Sequence, residues 1–187
     1  MRERSKDMRV RRTVASIRES FYQLVLEKNF TEISITELTQ KAGINRKTFY
    51  LHYSSMEDLV KEIEDEVVSE ILEIVGSTAE NMDLAGCIGN FYRYLEGCND
   101  VQQKLLCDSH YSFFYESVTD AVLHSKAFSK FFELTQYPTI VRSYTIAITF
   151  IYRDWLKGGK QIPLDILIEQ ASAIVEKGYA GIINKNR

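Results

Sequence analysis

The stretch from Ser34 to Tyr53 constrains the fold of this chain most, because it carries the boundary signals of two short helices. Ser34 is followed three residues later by Glu37, the spacing of a capping box that begins a helix. Gly43 supplies a residue that adopts a positive φ readily, which ends this helix. Asn45 is a favourable N-cap for a second helix. The stretch therefore predicts two helices joined by a tight turn.

The second predicted helix is polar on one face and aromatic on the other. Phe49 and Tyr53 are four residues apart, which predicts that they share the buried face. The remaining side chains are cationic or hydrogen-bonding: Arg46, Lys47, Thr48, Tyr50 and His52. A short helix that is cationic on one side and anchored by aromatic residues on the other suits the major groove of DNA. A helix-turn-helix unit is therefore the central hypothesis.

Helical periodicity continues on both sides of this unit, and only two prolines and nine glycines interrupt the chain. The pattern predicts an all-α protein of about nine helices, with an N-terminal three-helix helix-turn-helix domain and a C-terminal helical bundle. We place the domains at residues 1–55 and 56–187. The expected helices outside the central stretch are 11–28, 56–75 ending at Gly76-Ser77, 84–95, 101–108, 111–134 with a break near Ser125, 140–156 and one opened by Pro163.

Charge is distributed unevenly along the chain. The net charge is −3, but residues 1–18 carry 7 basic against 2 acidic side chains. A basic end on an acidic body fits a protein that presents one end to phosphates. Residues 1–10 could be a disordered tail, or a basic arm that enters the minor groove of DNA.

Cysteine usage and hydropathy favour a protein of the reducing cytoplasm without a membrane span. Cys87, Cys98 and Cys107 are odd in number and lack a CxxC spacing, which argues against a disulfide framework or a zinc site. No uncharged apolar run reaches the roughly 18 residues that a membrane helix needs. We expect no cofactor and no metal. An enzyme would have to use the only compact reactive cluster in the sequence, Cys107, Asp108 and His110. Separately, histidines and a cysteine that are distant in sequence could still meet in space and form a metal site.

The run TELTQKAGINRKTFYLHYSSMEDL lies between an amphipathic helix and a long one. Over residues 11–60 the chain resembles the DNA-binding domain of the TetR/AcrR family of bacterial transcriptional regulators. The resemblance implies that Arg46 and Lys47 read bases and that Thr36 reaches the DNA backbone or a base edge. It implies phosphate contacts for Thr48, Tyr50 and His52, and we also expect the caps Ser34 and Asn45 to be among the DNA-binding residues. The family usually has a lysine where this chain has Met56, which puts one phosphate contact in doubt.

The resemblance also implies a repressor that binds a palindromic operator in double-stranded DNA as a homodimer. Two alternatives stay open: an activator of the same family that works through a protein co-regulator, and a helical adaptor that does not bind DNA. The dimer would form through the last two helices, with Tyr144, Ile148, Ile151, Tyr152, Trp155 and Ile174 at the interface. A small apolar or aromatic effector would release the operator from a pocket lined by Phe91, Tyr94, Cys107, Tyr111, Phe114 and Tyr115.

Overall fold

A computed structural model describes residues 2–135 and 137–182, and for residues 2–7, 179 and 182 it describes the backbone alone. Within these ranges the chain forms ten α-helices and no strand, which confirms the all-α prediction with one helix more than expected. None of these helices is long and apolar enough to cross a lipid bilayer. The helices are α1 (Arg2–Glu27), α2 (Ile35–Lys41), α3 (Arg46–Phe49), α4 (Met56–Glu80), α5 (Leu84–Gly97), α6 (Asp100–Cys107), α7 (Ser112–Leu123), α8 (Ser129–Glu133), α9 (Pro138–Lys157) and α10 (Leu164–Ile182). Three single turns of 3-10 helix cover Phe30–Glu32, Ser109–Tyr111 and Lys126–Phe128.

Two predicted helix boundaries differ from the structure. The first helix begins at Arg2 rather than near residue 11, so the backbone of the expected tail or arm is helical from residue 2. Met1 and the side chains of residues 2–7, on which the arm prediction partly rests, lie outside the described residues. The fourth helix passes through Gly76, because its buried stripe continues to Ala79, and the positive φ of 61° falls at Met82 instead.

The helices group into two compact units. The first contains the chain up to Ile63 together with Asn99–Ser112, and the second contains Glu64–Cys98 together with the chain from Phe113 onward. These bounds differ from the division at 55/56 that the sequence suggests. Helix α6 and the 3-10 turn after it therefore belong with the N-terminal helices.

The first unit has a core built on α1. Ile17, Phe21 and Leu24 are at most 1% exposed, because the apolar stripe of α1 recurs at helical spacing and packs on α2 and α6. The hydroxyl of Tyr111 donates to the carbonyl of Lys28 at 2.8 Å. The ammonium group of Lys104 donates to the carbonyl of Leu26 at 3.1 Å. These two bonds satisfy carbonyl groups that the C-terminus of α1 leaves without helical partners.

The second unit is centred on α5, which packs along α10. The Tyr92 hydroxyl donates to the carbonyl of Ile148 on α9 at 2.6 Å, so a buried tyrosine is satisfied without a charged partner. Helices α9 and α10 approach closely where the Tyr144 ring occupies the space that a Cβ at Gly178 would need. This unit therefore uses both of its last helices, in part, for its own core.

Candidate nucleic-acid interface

The helix-turn-helix is held by the local signals that the sequence predicts. The Ser34 hydroxyl accepts a hydrogen bond from the amide of Glu37 at 3.2 Å, which caps α2. Gly43 has a φ of +67°, the left-handed conformation that ends the helix. The Asn45 side chain accepts from the amide of Thr48 at 2.8 Å and caps α3. Both caps and the turn are therefore confirmed.

One detail of the first cap differs from the prediction. A capping box requires the Glu37 carboxylate to return to the backbone of Ser34, but this carboxylate binds the ammonium group of Lys28 at 2.6 Å. A second ion pair, at 2.8 Å, joins Lys41 to Glu27. Glu37 therefore contributes to the orientation of α2 against the end of α1 rather than to a reciprocal cap.

We call residues 46–53 the recognition element. Hydrogen bonds from the amides of Leu51, His52 and Tyr53 to the carbonyls of Thr48 and Phe49 carry its helical turn beyond α3. Phe49 and Tyr53 are 0% and 4% exposed, and their ring centroids lie 5.7 Å apart. The recognition element is therefore anchored by two aromatic rings and presents its other side chains outward.

Some of the outward side chains already contact polar groups of the protein. A terminal nitrogen of Arg46 lies 3.4 Å from the Tyr50 hydroxyl, one turn along. The Thr48 hydroxyl already donates to Asn45 at 3.0 Å, so it must change partner to donate to a phosphate. Lys47 is exposed and His52 is half-buried. Thr36, in the first turn of α2, is exposed on its own helix.

The start of α4 supports the recognition element but does not extend its charge. Met56 is only 6% exposed, so this position offers no group to a phosphate. The Tyr53 hydroxyl donates to the Glu62 carboxylate at 3.3 Å, and Arg18 binds the same carboxylate at 3.1 Å. Glu62 therefore joins α1, the recognition element and α4 within the first unit.

Leu51 is not among the predicted contact residues, yet it is 74% exposed. Its spacing of four residues from Lys47 places both on the outward side of the turn, and that spacing is visible in the sequence. An isolated exposed leucine is ordinary on a protein surface. Its position beside the cations of the recognition element distinguishes this one.

The six residues predicted to line an effector pocket do not fall in one unit. Cys107 and Tyr111 are 5% and 0% exposed and belong to the first unit, where the Tyr111 hydroxyl is bonded to the backbone of α1. Burial raises the pKa of Tyr111 to about 12. Both residues therefore form part of the core around α1, which corrects their assignment to a pocket in the C-terminal domain.

The other four pocket candidates lie in the second unit. Tyr94 donates to Glu70 at 2.8 Å, and Phe91 is half-buried. Phe114 and Tyr115 are 1% and 3% exposed, and burial raises the pKa of the Tyr115 hydroxyl. Among the described residues that hydroxyl has no partner in good hydrogen-bond geometry, although the hydroxyls of Thr119 and Thr149 are close to it. The Arg153 guanidinium carbon lies 4.3 Å from the centroid of the Tyr115 ring.

The predicted dimer residues differ widely in exposure. Tyr152 is completely buried within the monomer, where its hydroxyl donates to Glu96 at 3.1 Å and its ring packs on Tyr92. It is therefore a core residue, which corrects its assignment to the dimer interface. Ile174, in contrast, is 59% exposed. The remaining four are half-buried: Tyr144, Ile148, Ile151 and Trp155.

The compact cluster at Cys107, Asp108 and His110 has a structural explanation. Asp108 accepts from the amide of His110 at 2.9 Å and faces the His110 Nδ1 at 2.8 Å, which caps the 3-10 turn after α6. Partial burial opposes ionisation of Asp108, but the hydrogen bonds from His110 outweigh it and lower the pKa of the carboxyl group. The Cys107 thiol is buried in the core. The cluster therefore ends a helix.

Comparison with known proteins agrees with this geometry. Residues 22–63 match the model of the family described as bacterial regulatory proteins, tetR family. An uncharacterized HTH-type transcriptional regulator of Haemophilus influenzae is 28% identical over 100 residues, which cover 51% of this chain and 49% of the relative. The HTH-type regulator YxbF of Bacillus subtilis, also uncharacterized, is 33% identical over 73 residues, which cover 38% of this chain and 19% of the relative. The match thus spans about half of one relative and about a fifth of the other.

Solved structures extend the similarity of fold beyond the N-terminal segment. A TetR transcriptional regulator from Streptococcus agalactiae superposes with a TM-score of 0.71 at 18% identity, covering 92% of this chain and 98% of that one. NalD of Pseudomonas aeruginosa, the secondary repressor of the MexAB-OprM multidrug efflux pump, superposes with a TM-score of 0.62 at 14% identity, covering 95% of this chain and 99% of that one. At 18% and 14% sequence identity, these superpositions show a similar fold. Residues 22–63 of this chain thus match the helix-turn-helix segment of the tetR family of bacterial regulatory proteins, and its all-helical fold is similar to that of solved TetR regulators.

Proposed function

We propose that this protein is a transcriptional repressor that binds a palindromic operator in double-stranded DNA as a homodimer and leaves it when a small effector binds. The observation that carries the proposal is the recognition element, which is capped by Asn45 and anchored by Phe49 and Tyr53. An anchored element is already ordered before it meets DNA, so little conformational entropy is lost on binding. The protein would act in the cytoplasm, where the bacterial chromosome lies.

DNA recognition would divide between base edges and phosphates. Arg46 and Lys47 supply cations on the outward side of the recognition element, and arginine binds guanine O6 and N7 through two hydrogen bonds. Thr36, Thr48, Tyr50 and His52 supply hydrogen-bonding groups around them, which suit phosphate oxygens and fix the register of the protein on the duplex. Ser34 and Asn45 orient the two helices through their caps.

The homodimer is supported by apolar side chains that the second unit leaves exposed on α9 and α10. Phe150 is 54% exposed and Ile174 is 59% exposed, and Ile140 and Ile166 are exposed on the same two helices. We therefore propose that Ile174 and Phe150 lie in the interface. A dimer also matches the form of a palindromic operator, because two identical recognition elements read two identical half-sites about 34 Å apart.

The effector site is supported by the surroundings of Tyr115. The Tyr115 hydroxyl is buried and lies close to the hydroxyls of Thr119 and Thr149, so a ligand that enters there would meet groups that can accept and donate hydrogen bonds. Phe114, Thr119 and Thr149 provide a mixture of apolar and hydroxyl groups nearby, which suits a small and partly apolar molecule. Release of DNA follows if the effector binds one conformation of the protein more tightly than the DNA-binding conformation.

Selection of bound sequences from random double-stranded DNA by the purified chain tests the proposal. We expect enrichment of an inverted repeat, which would show operator binding and two-fold symmetry in one experiment. Enrichment of a single half-site would contradict the dimer but not DNA binding. No enriched sequence would contradict the function itself.

Salt dependence separates sequence-specific DNA binding from a helical adaptor that does not bind DNA. A protein that neutralises several phosphates releases their counterions, so the logarithm of its affinity falls linearly with the logarithm of salt concentration. We expect a steep negative slope in titrations of the selected site. DNA binding that stays undetectable even at low salt would favour the adaptor.

A further inference from the structure

Leu51 is the most exposed large apolar side chain among the described residues, at 74%. It lies at the end of the recognition element, between Tyr50 and His52. Exposure of a leucine side chain to water is unfavourable, and this side chain cannot form a hydrogen bond with a phosphate. At this place on the recognition element, its exposure suits a partner that offers an apolar group.

The geometry of the turn places Leu51 on the outermost ridge. The Tyr53 amide donates to the carbonyl of Phe49 at 3.0 Å, and the amides of Leu51 and His52 donate to carbonyls three residues earlier, so the chain continues in a tighter helical turn past α3. At about 100–120° per residue, Lys47 and Leu51 both lie at least roughly 120° around the axis from the buried Phe49. Arg46 and Tyr50 lie on one flank of this ridge, and Thr48 and His52 lie on the other.

The ridge is the part of the element that would reach deepest into a groove. Lys47 and Leu51, one helical turn apart, would then face base edges together, and the two flanks would face the walls of the groove. On the major-groove edges of the four bases, the only apolar group is the C5-methyl of thymine. Against any other base Leu51 would cover polar groups without pairing them, which is unfavourable.

We propose that Leu51 is a specificity-determining residue that contacts the C5-methyl group of one thymine in each half-site, next to the base read by Lys47. The inference deepens the proposed function and rests on it. Leu51 would thereby select an A·T pair at one position without making a hydrogen bond.

Replacement of thymine by deoxyuridine tests the contact, because it removes the methyl group and leaves base pairing unchanged. In the site selected from random DNA, each thymine of one half-site is replaced singly, and affinities are measured for the unmodified chain and for Leu51→Ala. For the unmodified chain we expect one position at which replacement weakens binding about four-fold, the size expected for burial of one methyl group. For Leu51→Ala we expect weaker binding to the thymine site and no further loss at that position.

Leu26→Ala is the matched control, because Leu26 is also exposed, at 46%, and lies on α1 of the same unit. It should keep the deoxyuridine effect, and both variants should melt at the temperature of the unmodified chain. A half-site without thymine, or an equal deoxyuridine effect in Leu51→Ala, would overturn the inference and leave DNA binding intact. A contact with deoxyribose instead would weaken Leu51→Ala equally at every position, and this also overturns the inference. If no sequence is enriched, the proposed function and this inference fail together.

Discussion

The side-chain oxygen of Asn45 accepts two hydrogen bonds from Thr48, one from its amide at 2.8 Å and one from its hydroxyl at 3.0 Å. This one side chain therefore caps the helix and holds a residue of the proposed DNA surface. Asn45→Ala should lower the free energy of unfolding by about 1 kcal/mol, the usual effect of losing an N-cap. Asn45→Asp should keep most of that stability, because an anion is favourable at a helix N-terminus. Urea unfolding of both variants measures the difference.

The same pair of variants separates stability from charge in DNA binding. Asn45→Asp places a negative charge beside the proposed DNA surface, so its affinity for the selected site should fall most at low salt. DNA titrations at two salt concentrations measure this effect. Equal affinity of Asn45→Asp and the unmodified chain would show that residue 45 lies away from DNA.

Substitution of glycine by alanine should change the stability of the protein in opposite directions at Gly43 and at Gly76. Gly43 has a φ of +67°, so Gly43→Ala forces a side chain into the left-handed region and should destabilise the protein by about 1–2 kcal/mol. Gly76 lies within α4, and apart from its chain neighbours and its own helical backbone, no atom of the described residues lies within 4 Å of the position that a Cβ would occupy there. Gly76→Ala should therefore stabilise the protein by about 0.5–1 kcal/mol. Urea unfolding checks both values, and a stabilising Gly43→Ala would mean that the turn adopts another conformation.

Arg46 and Tyr50 touch each other but should affect DNA binding differently. Arg46→Ala should reduce discrimination at one base position by about 1–3 kcal/mol, because it removes the proposed base contact. Tyr50→Phe should weaken binding to all sequences about equally, because it removes the proposed phosphate contact. Binding titrations on the selected site and on single-base variants distinguish the two. Unchanged binding in both variants would refute the assignment of the recognition element.

Ile174 tests the dimer without disturbing the monomer. Because it is 59% exposed, Ile174→Glu should fold normally but place a charge in the proposed interface. We expect sedimentation to show a monomer for this variant and a dimer for the unmodified chain. Leu26→Glu, a similar change at an exposed residue of α1, should remain dimeric. A dimeric Ile174→Glu would exclude this face of α10.

Glu96 should make stability depend on pH in acid. The hydrogen bond from Lys160 lowers the pKa of Glu96 below 4.5, partial burial opposes the shift, and the bond from Tyr152 adds to it. A folded-state pKa below the unfolded value contributes stability above about pH 4.5, which is lost as pH falls through the folded pKa. The difference in melting temperature between the unmodified chain and Glu96→Gln should therefore be largest near neutral pH and vanish in acid. A difference that is constant with pH would mean that the charge of Glu96 is irrelevant.

The helix-turn-helix was predictable because its signals are local. Ser34, Gly43 and Asn45 act on backbone groups within three or four residues, and the aromatic pair Phe49 and Tyr53 repeats at helical spacing. The same reasoning misplaced the end of α4, since the glycine at 76 is overridden by buried neighbours such as Val75 and Ala79. Local signals are decisive where no tertiary contact competes with them.

Contacts between distant parts of the chain were not predictable from spacing. The partner of Glu37 is Lys28, across a turn, rather than Ser34, because tertiary packing brings the end of α1 beside α2. The burial of Tyr152 depends on Tyr92 and Glu96, which are far away in sequence. An aromatic stripe indicates that a helix has an apolar side, but it does not tell whether that side faces the same chain or a second copy.

The first unit is formed by two separate stretches of the chain, and this limits how readily its helix-turn-helix can be exchanged between proteins. The hydroxyl of Tyr111 and the ammonium group of Lys104 bond to the end of α1, although both come from a later stretch of the chain. A gene fragment that ends at codon 63 would encode the helix-turn-helix without the helix that covers one side of it. Recombination that transfers this unit to another protein must therefore carry two separate stretches of gene. The unit cannot be moved as a single contiguous segment.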